Sequence, residues 1–386
     1  MTSAAHQQPT ASRSRSVLFL VNSLRVGGSE RKAVRLASAL AADNSEVALS
    51  YLNPPESLLP QLDPAVTALN LHRRGKFSIP ALRRLIRIVR ARKVRTLVAV
   101  NLYAALYAVL ARLLSKDLPL YVVVSVNTTE FAALKERLQM LLYRHVLKRA
   151  DLIVFGAERQ RQLWCTRYGL DSTPDRTIVI YNGVDTARFS RGRVVPAIRP
   201  ASASQVMLGT VGVFRIEKRQ IDLVRAVRQL MNDGLDVGAL LVGDGPQRAE
   251  IERLIHSLGL EERVRLVGEA VDVRPYLAAM DVFVLPSVAV ETFSNAALEA
   301  MAMSCPVVAS QVGGMEEMLR FGGGVTYPPG DLQSLCDLLK PLVSDASARL
   351  ALGKQAREAV ESHFSFARML NDFGEHVLAA PWQEVA

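Results

Sequence analysis

Two stretches of the chain alternate short, wholly apolar runs with longer amphipathic ones, and this repetition restricts the fold more than any other feature. The first offers strand candidates at 16–23 (SVLFLVNS), 47–52, 96–101, 121–126 and 152–156, separated by helical periodicity at 30–42, 79–93, 103–114 and 131–149. The second offers strands at 207–214, 237–242, 264–267 and 282–286, with helices at 220–231, 248–258 and 273–280 between them. Helices at 331–343, 347–362 and 366–378 end the chain. A strand with one wet face would alternate apolar and polar residues; runs apolar on both faces belong to parallel strands covered by helices. Each series therefore predicts a doubly wound parallel sheet of the α/β class, and the chain as a whole two Rossmann-like domains facing a cleft.

The predicted boundaries follow from composition. Residues 1–15 are a polar, flexible tail; 16–189 form the first domain; the Arg-, Pro-, Ala- and Ser-rich stretch 190–205, without periodicity, is the linker; 206–364 form the second domain. Residues 365–386 are long enough to return across the cleft. At 386 residues and 49% hydrophobic content there is material for two cores.

The chemistry concentrates where predicted strands end, which is where open parallel sheets bind ligands. Residues 291–314, ETFSNAALEAMAMSCPVVASQVGG, read as loop, helix, strand and loop, with Glu291 before the helix and Glu299 inside it. The unpaired amides at the helix start, near Thr292, Phe293, Ser294 and Asn295, favour a phosphate, and carboxylates beside them favour hydroxyl donors such as those of a sugar. Arg215 and Lys218 follow the strand at 207–214, a pair able to grip a diphosphate. Gly243 lies in a VGDGP turn and Gly268 in VGEAV, both positions where backbone can pass close to a ligand. In the first half, Gly27 and Gly28 join a strand to a helix in the manner of a phosphate-approach loop.

Charge is uneven. Up to Arg188 there are 28 Lys/Arg against 13 Asp/Glu, and beyond it 19 against 24, so the first half is strongly basic within an overall +10. Arg83, Arg84, Arg87, Arg90 and Arg92 interleave with Leu82, Leu85, Ile86 and Val89 in a cationic amphipathic helix, which suits either an anionic membrane surface or the outer face of a sheet. Nucleic acid is not expected, because no aromatic-interleaved basic stretch is present. No apolar run reaches the roughly 20 residues of a spanning helix. Three widely spaced cysteines give no disulfide framework and fit a cytoplasmic protein, with peripheral attachment to the inner face of the membrane as an extension.

Taken together, Gly27–Gly28, NGVD at 182–185, the Arg215 and Lys218 pair, VGDGP, DVFVLPS from Asp281, the E-x7-E pair Glu291 and Glu299, and VGG ending at Gly314 resemble the retaining GT-B glycosyltransferases of family 4, across about residues 16–375. The resemblance implies a nucleotide-sugar donor such as a UDP- or GDP-sugar, no cofactor and no metal, and an acceptor that is a glycan or lipid-linked saccharide. It also implies roles: Glu299 on the ribose hydroxyls, Glu291 and the amides of Phe293, Ser294 and Asn295 on the donor sugar, Arg215 and Lys218 on the diphosphate, and Gly28 on the phosphates from the opposite domain. Two positions depart from the pattern. Where the family commonly has a histidine after the strand at 121–126, this chain has Asn127, which can hydrogen-bond but cannot act as acid or base. Ser304 stands where the family usually has glycine. The missing histidine motivates an alternative, a catalytically weak or inactive protein that still binds nucleotide sugar or lipid; an epimerase on the same plan lacks the acid/base residues it would need.

Overall fold

The computed structural model describes residues 16–25, 27–43, 45–127, 134–197, 206–289 and 291–379. The predicted tail, the first residues of the helix expected at 131–149, and the second half of the expected linker lie outside them.

Seven parallel strands form the first sheet: β1 (Ser16–Val21), β2 (Glu46–Tyr51), β3 (Thr67–Asn70), β4 (Thr96–Val100), β5 (Tyr121–Val126), β6 (Leu152–Phe155) and β7 (Thr177–Val179), in the order β3-β2-β1-β4-β5-β6-β7. Its helices are α1 (Gly28–Ala42), α2 (Ile79–Ala91), α3 (Asn101–Leu114), α4 (Leu134–Leu147) and α5 (Glu158–Tyr168). The second sheet has six parallel strands, β8 (Val206–Val211), β9 (Val237–Val242), β10 (Val264–Gly268), β11 (Val282–Leu285), β12 (Val307–Ser310) and β13 (Gly324–Tyr327), in the order β10-β9-β8-β11-β12-β13. Around it lie α6 (Gln220–Asn232), α7 (Arg248–Ser257), α8 (Arg274–Ala279), α9 (Asn295–Ala302), α10 (Met315–Leu319), α11 (Leu332–Ser344) and α12 (Ala346–His363), before α13 (Phe366–Phe373). Both sheets reverse direction of growth at their first strand, between β1 and β4 and between β8 and β11. Such switch points leave a crevice beyond the strand ends.

Each sheet is buried on both faces. Leu18, Leu20, Leu97, Val122 and Val124 join one core and Val17, Phe19, Val98, Val123 and Val154 the other. In the second domain Met207, Leu240, Phe283 and Val307 face one core and Leu208, Leu241, Val284 and Val308 the opposite one. That period of two within uniformly apolar runs is the two-sided burial the sequence pattern called for.

Several boundaries differ from the sequence reading. Asn101, expected to end a strand, has the left-handed backbone (φ +71) that takes the chain out of β4 and begins α3. Short elements with little periodicity, β3, α5, α10 and β13, were not distinguishable from loop. The helix expected at 366–378 is α-helical only to Phe373 and continues as a π turn over Gly374–Leu378. The beginning of the presumed linker is anchored: Arg191, in a 3-10 turn, donates to the carbonyls of Met303 (2.9 Å) and Met280 (2.6 Å).

The chain crosses between domains a second time beside the first crossing. Val184 bridges Ser365, with Val184 N donating to Phe364 O (2.9 Å) and Phe366 N to Val184 O (2.9 Å). Beyond that bridge Met369, Phe373, Val377 and Leu378 are buried in the core of the first sheet, and the Phe373 ring stacks on Phe19 at 6.0 Å.

Candidate active site

The starts of two helices, one from each domain, come together at the crevice. Gly27 caps α1 in an extended conformation with no side-chain oxygen to fill the cap, and Gly28 is its first residue. A Cβ on Gly28 would stand 3.1 Å from Asn295 Nδ2, the first residue of α9 in the other domain. Glycine therefore keeps the backbones of both helix starts accessible to a ligand between them. On α9, Ser294 caps its own helix by accepting from Ala297 N (3.3 Å).

The loop leading into α9 is fixed from both domains. Thr292 Oγ1 donates to Asn127 O (3.2 Å), Asn182 Nδ2 donates to Phe293 O (3.0 Å), and the Phe293 ring stacks on Tyr181 at 4.9 Å. Gly314 N donates to Thr292 O (2.7 Å). Gly313 has φ +62, and a Cβ there would overlap Glu291 O, so the VGG segment holds the loop by close backbone approach that only glycine permits.

Glu291 is buried, 7% exposed, at the foot of this loop. It accepts from Lys218 Nζ and from Ser287 Oγ (3.1 Å), so the acidic and basic residues expected to act on different parts of a ligand form one ion pair. Arg215 is exposed and pairs with Glu217 at 3.8 Å. Glu299 lies inside α9, half-buried. Burial pushes its carboxyl up to about 7, opposed by Arg31 and Arg35 of α1 and by Arg188. Arg35 in turn stacks on Phe366 at 4.3 Å.

Gly243 and Gly268 lie at the ends of β9 and β10, both with positive φ, and are bonded to each other through Gly243 N and Gly268 O (2.8 Å). A Cβ on Gly243 would overlap Gly212 O. Packing thus already demands glycine at Gly243, whereas at Gly268 the left-handed backbone, φ +87, is what favours it. Asn127 directly follows β5, with its amide 3.5 Å from Asn101 Oδ1. It lines a cavity of about 10 Å³ with Ser29, Lys32 and Ser125, and burial brings the Lys32 ammonium down to about 8.

The sequence reading missed Ser287, Tyr181, Glu317 and the three arginines near Glu299. The arginines carried a signal in the basic excess of the first half, but the nearness of their charge to Glu299 is a property of the folded pair of domains. Among the described residues no group of three or more His, Cys, Asp and Glu side chains is placed to hold a metal ion. No helix among them is long and apolar enough to cross a membrane.

Family comparisons agree with this arrangement. A sequence model described as Glycosyltransferase Family 4 matches residues 26–188, and one described as Glycosyl transferases group 1 matches 205–345. The chain belongs to the family 4 glycosyltransferases. Relatives include the N-acetyl-alpha-D-glucosaminyl L-malate synthase of Bacillus anthracis, 29% identical over 58% of this chain and 61% of that protein. The lipopolysaccharide core biosynthesis glycosyltransferase LpsE of Rhizobium meliloti is 35% identical over 45% of this chain and 51% of its own. The aligned region thus spans about half to three fifths of these curated relatives. The crystal structure of Anabaena Alr3699/HepE in complex with UDP superposes with a TM-score of 0.80 at 21% identity, over 93% of this chain and 98% of that one, and identifies the fold as GT-B.

Proposed function

We propose that this family 4 member transfers a sugar from a nucleoside diphosphate donor to an acceptor, with retention at the anomeric carbon. The observation that carries the reading is the apposition of the α1 and α9 starts, with Gly28 against Asn295. Two helix N-termini offer unpaired amides and partial positive charge to one diphosphate. The HepE structures with UDP and with UDP-glucose, and the polysaccharide and lipopolysaccharide titles of the relatives, support a nucleotide-sugar donor and a lipid-linked or surface-glycan acceptor.

In this reading Glu299 accepts from ribose hydroxyls and Glu291, held by Lys218 and Ser287, orients the donor sugar. The bond from the anomeric carbon to the β-phosphate oxygen breaks, its electron pair stays on that oxygen, and the acceptor oxygen bonds to the carbon from the same face. The acceptor proton passes to the departing phosphate. Lys218, Arg215 and the helix starts stabilise the charge that builds there, which removes the need for a metal ion or a side-chain base and suits a chain with Asn127 just after β5.

Membrane extracts incubated with radiolabelled UDP- and GDP-sugars should yield labelled product with the wild type and far less with Glu299→Ala or Lys218→Ala. Equal turnover by all three would sink the assignment. The alternative of a binding protein without turnover draws on Asn127, whose carbonyl is engaged by Thr292; nucleotide binding by calorimetry with no transfer across a broad acceptor panel would favour it.

Attachment to an anionic bilayer belongs to the same reading. Phe77, Ile79 and Leu114 are exposed near α2, whose Arg83, Arg87 and Arg90 line a groove with Leu114. Vesicles of anionic lipid should retain the protein at low salt and release it at high salt; failure to bind at low salt would refute this part.

A further inference from the structure

Helix α5 begins without a cap of its own. Its N-cap is Ala157, which has no side-chain oxygen, and no side-chain cap bond is made there from within the domain. The first amides are satisfied from the other domain: Glu158 N donates to Glu317 Oε2 (2.7 Å) and Arg159 N to Glu317 Oε1 (2.6 Å). A carboxylate at this end also complements the helix dipole. The outer pair Arg159–Glu316 (2.9 Å) has both side chains about half exposed and adds little.

Glu317 is connected to the donor loop by two routes. Its helix, α10, is entered through Gly314, whose amide holds Thr292 O at 2.7 Å and whose Cα packs so tightly on Ala157 that a Cβ would stand 2.7 Å from that methyl. Tyr181 Oη donates to Glu317 Oε2 (3.2 Å) while its ring stacks on Phe293. Burial first, and the Glu317 charge second, push the Tyr181 hydroxyl up to about 12, so it stays a donor throughout the working range. The α5 cap, the Gly314–Ala157 packing and the two Tyr181 contacts each join a residue of the first domain, or of the crossing at 181, to the segment 291–317 of the second, and the Gly314–Thr292 bond ties that segment together.

We propose that Glu317 is a positioning residue: by capping α5 across the cleft and holding Tyr181, it sets the register of the first domain over residues 291–295. The register matters because Gly28 and Asn295, on opposite domains, face one diphosphate in the function proposed above, on which this inference rests. A residue that served only as a helix cap would change stability and nothing else.

The test uses the full chain with Glu317→Gln, which keeps the shape but loses the charge and one acceptor, and Tyr181→Phe, which keeps the Phe293 stack and the α5 cap but loses the hydroxyl. Three readouts are taken well below the melting temperature. Amide exchange at Glu158 and Arg159 should accelerate in Glu317→Gln and not in Tyr181→Phe. X-ray scattering should show a larger radius of gyration for Glu317→Gln, and UDP should bind at least about fivefold more weakly to both variants, the low end of usual coupling between sites. If Glu317→Gln melts earlier yet keeps the wild-type radius and UDP affinity, the residue is a cap only and the proposal is overturned. Should Glu317→Gln not fold, unchanged UDP affinity in Tyr181→Phe overturns it equally. A wild type that binds no UDP or GDP refutes the donor reading instead, and the exchange and scattering results still decide the role of Glu317.

Discussion

Replacing Lys218 by methionine removes the ammonium from Glu291 while keeping most of the side-chain volume. The Glu291 side chain is 9% exposed and that of Lys218 25%, so the carboxylate sits on the dry side of the pair and retains the Ser287 hydroxyl. Breaking a fully buried pair from one side costs about 3–5 kcal/mol. Water entering at the lysine end lowers that to roughly 3 kcal/mol, because the vacated side is a quarter open. For a domain of this size about 2–4 °C is lost per kcal/mol, so calorimetry should show the transition of the second domain falling by about 6–12 °C. Glu291→Gln alone should cost somewhat less, and the double variant Lys218→Met/Glu291→Gln should be more stable than the sum of the singles implies by about 2 kcal/mol. Additive losses, within about 0.5 kcal/mol, would show that the two groups do not act as a pair and would undo the reasoning.

Other outcomes follow from single residues. Glu299 titrates near 7 in the free protein, above the ordinary 4.5, so raising the pH from 6 to 8 should strengthen UDP binding as the carboxylate forms, and Glu299→Gln should flatten that profile; a slope of the opposite sign would refute the ribose role. The same shift makes the group a source of stability below about 4.5 that fades as the pH rises through 7. Gly28→Ala should leave the melting temperature equal or slightly higher, since alanine suits a helix better by up to about 1 kcal/mol, while the donor KM rises because the new methyl meets Asn295. Ser304 has φ +55, so Ser304→Gly should raise stability by about 1 kcal/mol in thermal denaturation with no change in UDP affinity.

The sequence revealed the fold because both sheets are buried on two sides, which leaves strands such as 152–155 and 237–242 as unbroken apolar words between helices. What it concealed was short or shared. β13 has four residues and only partial burial, and α5 opens with Glu, Arg and Gln over its first five residues, so no apolar period marks its start. In the site, Glu291, Lys218 and the loop into α9 were legible as separate chemical suggestions. Their joining into an ion pair was not, since nothing in the spacing of residues 218 and 291 states that two loops converge. Ser304 worked in the other direction: a departure from the glycine expected at that turn, it does adopt the left-handed backbone that glycine would have eased.

The packing of Phe373 on Phe19 carries a consequence for how the molecule is made. Residues 16–189 leave the ribosome as an almost finished sheet, yet the core that α1 shares with β1 stays incomplete until Met369, Phe373, Val377 and Leu378 arrive to fill the rest of it. At ordinary synthesis rates that interval is on the order of ten to thirty-five seconds, during which an apolar patch on the earlier half waits in the open. The half made first is therefore completed last, and a chain shortened before Phe366 would fold its second domain while leaving the first with a permanent gap in its core.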